Sequence, residues 1–310
     1  MKKKLIILKK KMDIQENKDV EDLKQLIENA DYPAMTDFST RKSHKERMKL
    51  RQNYKIKYHK DLMTDLKSSF AGIYLKIILG LFTDPVEFDI DYIYKSLKEE
   101  TSYNVLIEIF ASRPDWYLNK IKNLYSKKYN IELEEHIKEG NLDDFKNLLL
   151  QILQCERSVN QKPDADFCKN LANDLEQEES DNLTVDSAII NSIFIRSSPQ
   201  ELVLISQEYN KLTQKLITEM INEHFRGNAK NLLYAILKSK ISPSEYYANI
   251  LHESIDDEDI ILRVIISRAE IDLAQIKKYY SKLYESDIVK DIKKDTHEYT
   301  NLLVAICNMH

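Results

Sequence analysis

One segment type recurs four times in this chain, and that recurrence limits the fold to stacked copies of one helical unit. The segment runs from Asp61 to Phe82, from Glu132 to Leu153, from Lys215 to Leu237 and from Asp287 to Cys307, with starts 71, 83 and 72 residues apart. Two further markers keep step. Arg41, Arg113, Arg196 and Arg268 are separated by 72, 83 and 72 residues, and Tyr54, Tyr125, Tyr209 and Tyr280 by 71, 84 and 71. Self-similarity at a fixed period is the signature of a repeated supersecondary unit.

The unit is helical. Only 4 glycines and 6 prolines stand among 310 residues, which suits long helices with short connections. Each copy reads as five helices, A to E. In the first copy Ile73, Ile77, Ile78 and Leu81 recur at three- and four-residue steps and mark helix E. Tyr54 and Tyr58, Tyr125 and Tyr129, and Tyr280 and Tyr284 share one side of helix C, while the third copy pairs Tyr209 with Thr213. These tyrosines read as core packing, as does Trp116 beside Pro114. Capping-box patterns at Ser198–Glu201, Ser242–Glu245 and Ser267–Glu270 mark helix starts. The polar connector Arg157–Asp166 predicts two halves, 13–155 and 164–310.

Charge is unevenly placed. Residues 1–12 hold six lysines and no acid, and the remaining residues hold 40 basic against 51 acidic groups. An acidic body argues against nucleic acid as partner, because phosphate binding needs a basic surface. The basic start reads either as a solvated disordered terminus or as a contact for anionic lipid or an acidic protein. The apolar run Leu5–Leu8 is too short for a secretory core or a spanning helix. Cys155, Cys168 and Cys307 lack metal-ligand spacing and read as reduced, buried thiols of a cytosolic protein. No phosphate loop, His-Glu-x-x-His or Gly-x-Ser-x-Gly is present, so no enzyme is expected.

The stretch Ile261–Leu273, followed by Asp291–Thr296 and Leu302–Cys307, closely resembles the fourth-repeat signature of the annexin family, and Leu106–Arg113 adds a second-repeat match. The resemblance covers all four copies and extends to the giardins, divergent protist members. It implies an all-α fold of four five-helix repeats forming a curved disc, whose convex face meets anionic phospholipid through bound calcium. The expected divisions are a basic N-terminal arm at 1–17 and repeats at 18–83, 84–155, 156–240 (linker included) and 241–310. It also implies that Asp89 pairs with Arg113, and Glu108 with Arg263.

In the family, a Gly-x-Gly-Thr turn between helices A and B offers carbonyls to calcium, and an acid in the D–E turn caps the ion. Calcium takes six to eight oxygens, and glycine lets such a turn aim its carbonyls at one point. This chain departs from that pattern in every copy. The A–B turns lie near Glu28–Ala30, Lys98–Thr101, Gln177–Ser180 and His252–Asp256, all without glycine, and the cap positions hold Ser69, Gly140, His224 and Asp295. The best residual calcium site takes Asp295 as cap with the carbonyls of Leu251, Glu253 and Ile255. Acids near these turns, Glu99, Glu100, Glu176, Glu178, Glu179, Asp181 and Asp256–Asp259, either hold calcium weakly or favour the positive ends of helix dipoles. The expected function is peripheral binding of anionic phospholipid membranes with weak or atypical calcium dependence. The alternative is a calcium-independent, cytoskeleton-associated structural protein. Either reading places the chain in the cytoplasm.

Overall fold

The computed structural model describes residues 2–99, 103–142, 144–158, 162–181, 183–255, 257–292 and 298–309, with backbone only for 2–14, 180, 181 and 298. The described residues form helices and no strand. The first repeat holds α1 (Lys2–Glu28), α2 (Tyr32–Thr40), α3 (His44–Tyr58), α4 (Leu62–Ser69) and α5 (Gly72–Leu81). The second holds α6 (Pro85–Glu99), α7 (Asn104–Ser112), α8 (Asp115–Tyr129), α9 (Leu133–Glu139) and α10 (Phe145–Ile152). The third holds α11 (Ala165–Asp181), α12 (Ala188–Ile190), α13 (Pro199–Thr213), α14 (Ile217–His224) and α15 (Gly227–Ile241), with α12 continuing as a π-helical turn over Asn191–Arg196. The fourth holds α16 (Pro243–Glu253), α17 (Glu258–Arg268), α18 (Leu273–Tyr284), α19 (Ile288–Ile292) and α20 (Glu298–Cys307). The basic start of the chain is therefore no separate coil, because α1 runs unbroken from Lys2 into helix A.

The compact units are not the two halves that the connector predicts. One unit joins residues 1–85 with 248–310, and the other is 86–247. In the first, α5 packs on α17 and α20, and α2 on α20, so the first and fourth repeats share a core. In the second, α7 lies along α15 and α11 along α13. Helix α7 is apolar on nearly every side, with Leu106, Ile107, Ile109 and Phe110 buried, as a helix surrounded by others must be.

Each helix C is tied down by its marker tyrosine. Tyr54, Tyr125, Tyr209 and Tyr280 have buried rings, but their hydroxyls all find partners. Tyr54 donates to Asp65 at 2.6 Å and Tyr280 to Asp291 at 2.9 Å, and Tyr125 meets His136 Nδ1 at 2.6 Å. Each partner lies on helix D, eleven residues on. Tyr209 instead donates to Glu179, on helix A. Five residues after each tyrosine the helix ends in a left-handed residue: His59, Asn130, Gln214 and Glu285, with φ of 55°, 57°, 60° and 50°. None is glycine, and a side chain in this conformation costs about 1–2 kcal/mol.

Buried arginines hold each unit. In the second, Arg113 grips Asp89 through Nε and Nη2 at 2.8 and 3.1 Å, as the resemblance implies. Its Nη1 also donates to Glu108 and to the Tyr247 hydroxyl, both at 3.0 Å, and Tyr247 donates to Glu108 at 2.5 Å. Burial alone would depress the Arg113 guanidinium, and Asp89 together with Tyr247 and Tyr117 more than reverses that, raising it. In the first unit Arg47 is 3% exposed and donates to the carbonyls of Leu81, Ser39 and Lys42 and to Glu270. Glu270 also accepts the His44 amide at 2.8 and 2.9 Å, capping α3 from another repeat. The Ser267–Glu270 box is thus not formed. α17 runs through to Arg268, the chain closes there through Arg268 on Asp272, and Asp272 stands at the head of α18. The box at Ser198 does form, as does one at Ser43. Trp116 is not core packing either: it is 61% exposed, with Lys120 Nζ 4.8 Å from its ring centroid.

Two measurements check this account. Arg113→Met strands two buried carboxylates, so chemical denaturation should show a loss of about 3–5 kcal/mol. Glu285→Gly relieves a left-handed side chain, so thermal unfolding should show a gain of about 1 kcal/mol.

Candidate functional site

A cation held by main-chain oxygens needs a turn whose carbonyls are free and convergent. In the first repeat the last turn of α1 is closed by the amides that follow it. The amides of Asn29, Ala30 and Asp31 donate to the carbonyls of Gln25, Ile27 and Leu26 at 3.0, 3.1 and 3.2 Å, with Ala30 at φ 48°. The Asp31 carboxylate accepts the Ala34 amide at 3.0 Å and so caps α2. The cap position, Ser69, is the last residue of α4 and brings no charge. In the second repeat, Gly140 ends α9 and has no side chain to offer, while Glu100 and Thr101 lie outside the described residues.

The third repeat brings together Glu179 of helix A with Glu223 and His224 of helix D, one ligand atom of each lying within 4.8 Å of the others. It also supplies its own cation. Lys215 Nζ lies 2.9 Å from Glu223 and 3.5 Å from Glu179, and His224 Nε2 lies 3.2 Å from Glu179. Burial alone would raise the Glu179 carboxyl, but the Tyr209 hydroxyl, His224 and Lys215 outweigh it and hold it below the usual range. The following turn is filled by the buried side chains of Leu183 and Val185, and the Thr184 amide donates to Ser187 Oγ at 3.1 Å. The sequence carries a signal for Glu179. Eleven residues after its tyrosine the third copy has Met220 where the others have Asp65, His136 and Asp291, so the Tyr209 hydroxyl needs a partner from elsewhere.

In the fourth repeat Leu251 lies buried in the last turn of α16, Glu253 ends that helix, and Ile255 follows in the turn. Asp256 and Asp295 lie outside the described residues. The Asp257 carboxylate accepts the Ile260 amide at 3.2 Å and caps α17, the helix-start role that acids at such turns can fill. Beside Ile255 opens a cavity of about 510 Å³ whose polar lining includes His252, Glu258, Tyr280, Ser286, Asp291 and Tyr299. His252 Nδ1 lies 3.4 Å from the Tyr280 hydroxyl, and Ser286 Oγ donates to Asp291 at 2.7 Å. The carboxylate and hydroxyl oxygens of this recess, the donor type hard cations prefer, share the lining with Ile255, Ile261, Leu262, Ile292 and Leu303.

In the first repeat the cap position is a neutral serine, and in the third an imidazole and an ammonium already contact the carboxylates. No described helix is long and apolar enough to cross a membrane. One consequence is measurable. Because Glu179 is depressed, its contribution is complete above the usual carboxylate range and is lost as pH falls through its folded value. Glu179→Gln should therefore cost about 1–3 kcal/mol near neutral pH, and the gap from the parent should close on acidification in urea titrations.

The annexin family model matches residues 18–81, 88–152, 167–236 and 246–306. Annexin A4 of Bos taurus is 29% identical over 272 residues, covering 86% of this chain and 85% of that protein. Annexin A11 of Mus musculus is 29% identical over 283 residues, covering 89% of this chain but only 56% of that protein. Among solved structures, annexin III superposes with a TM-score of 0.88 at 27% identity over 93% of each chain. The calcium-bound structure of alpha-14 giardin gives 0.80 at 12% identity over 94% of this chain and 99% of that one, a likeness of fold alone.

Proposed function

Since this chain belongs to the annexin family, we propose that it binds anionic phospholipid membranes peripherally, with a calcium response that is weak and rests on the fourth repeat. The observation that carries the reading is the contrast between donor sets: Lys215 stands among the acids of the third repeat, whereas in the fourth the carboxylates of Glu258 and Asp291 line a recess beside Ile255. The carbonyls of Leu251, Glu253 and Ile255 and the carboxylate of Asp295 are the donors assigned. Calcium bound there would supply positive charge between these oxygens and a lipid phosphate. Glu258 and Asp291 line the same recess and add to the negative potential that draws a cation in. A single site without turn glycines belongs with low-affinity modules, at about millimolar calcium.

The test is sedimentation with phosphatidylserine vesicles, read as the increment calcium adds to a chelator baseline. The expected increment is half-maximal at about millimolar calcium, is lost in Asp295→Ala and is kept in Glu179→Gln. Micromolar half-saturation, or an increment indifferent to Asp295, overturns the reading. No increment at any concentration favours the calcium-independent structural alternative with a cytoskeletal partner.

A further inference from the structure

Two helices of the second unit turn opposite charge outward, and each carries an exposed aromatic ring. Along α8 the residues Trp116, Lys120, Leu124 and Lys127 face solvent at steps of four, four and three residues, the spacing of one helical side. This helix holds four lysines against one acid, Asp115, and that acid is engaged by Arg157. Helix α11 has the opposite balance, with six acids against one lysine. Its exposed residues include Asp166, Phe167, Asn170 and Asp174, while Cys168, Leu171 and Leu175 are buried. Trp116 and Phe167, 61% and 51% exposed, are the only tryptophan and phenylalanine left exposed among the described residues.

Neither stripe is satisfied within the chain. Lys120 reaches only the Trp116 ring, with Nζ 4.8 Å from its centroid, and Lys127, Asp166 and Asp174 enter no ion pair among the described residues. An exposed tryptophan ringed by charge is the composition of an interface anchor. The two stripes also match in length. A helix rises about 1.5 Å per residue, so antiparallel helices that place Phe167 on Leu124 bring further partners into register. Lys127, three residues after Leu124, meets the acids three and one residues before Phe167, Asp164 and Asp166. Trp116, eight residues before Leu124, lies opposite Asp174, seven residues after Phe167. Lys120, lying over the Trp116 ring, reaches the same carboxylate.

We propose that α8 of one copy docks antiparallel on α11 of a second copy of this chain, in solution and without calcium. The occupant is a second copy because the face that complements α8 in charge, ring placement and residue spacing is carried by the chain itself. Contact between two helix stripes buries less than the roughly 1,200 Å² at which stable interfaces begin, so the association is weak and shows at high protein concentration. Its charged pairs are exposed at the rim, so added salt weakens it. The contact uses neither the fourth-repeat calcium donors nor the Glu179 cluster, and it stands or falls independently of the membrane reading.

The experiment is sedimentation velocity of the full chain in chelator, from micromolar to near-millimolar protein, with tryptophan emission read on the same samples. Mean mass should rise above the monomer with concentration, and emission should move to shorter wavelength as the ring leaves water. Trp116 is the only tryptophan of the chain, so that emission reports this face alone. One variant combines Lys120→Glu with Lys127→Glu, and a second combines Asp166→Lys with Asp174→Lys. Both change exposed residues only and should keep the parent's helical circular dichroism. Each should associate at least about tenfold more weakly, because like charges then face each other. Mixed in equal amounts they should associate again, since the first keeps a native α11 and the second a native α8. A parent that stays monomeric at near-millimolar concentration overturns the proposal and leaves these faces to a foreign partner. Undiminished association of either variant, or two weakened variants that do not recover on mixing, overturns it as well.

Discussion

A carbonyl that already accepts a helix amide points along the helix and not toward a common centre where a metal ion could sit. That constraint bears on the A–B turns of this chain. At the end of α1 three successive amides return to the helix and the turn closes within three residues. Without glycine, a turn reverses the chain by placing one residue in the left-handed region, here Ala30, and this geometry satisfies the helix rather than a ligand. The five-helix scaffold tolerates that choice, because its core lies in the packed helices and does not depend on the turns.

Charge follows the same logic. A cluster of carboxylates needs a cation, from solution or from the chain. Around Glu179 the chain supplies Lys215. Around Asp65 it supplies Lys24, at 3.4 Å. The covalently attached ammonium loses no translational freedom on pairing, whereas a bound ion does. Lysines serve the acids of α1 in the same way: Lys49 and Lys57 of α3 pair with Glu16 and Glu21, and Lys42, just before α3, with Asp19.

The repeats were legible because their markers report backbone register. The arginines kept step although their duties differ: Arg113 is buried against Asp89, while Arg41 is exposed beside Asp37 and Arg196 beside Glu156. The tyrosines kept step because ring and hydroxyl are both used. What stayed hidden was long-range. Ser267–Glu270 has the local pattern of a capping box, yet its glutamate serves His44 and Arg47, more than 220 residues away in sequence. The division into halves failed for the same reason: a polar connector signals a break in the chain, while a shared core is set by which helices meet in space. For the candidate site, the loss of glycine was readable. The capture of its acids by Tyr209 and Lys215 needed coordinates.

The most direct measurement is crystallographic: the full chain crystallised in millimolar calcium, with anomalous difference density locating each ion. The account predicts ions in the fourth repeat alone, with the Lys215–Glu179–His224 cluster intact. An ion held by the carbonyls of residues 28–31, or one replacing Lys215 between Glu179 and Glu223, would contradict it.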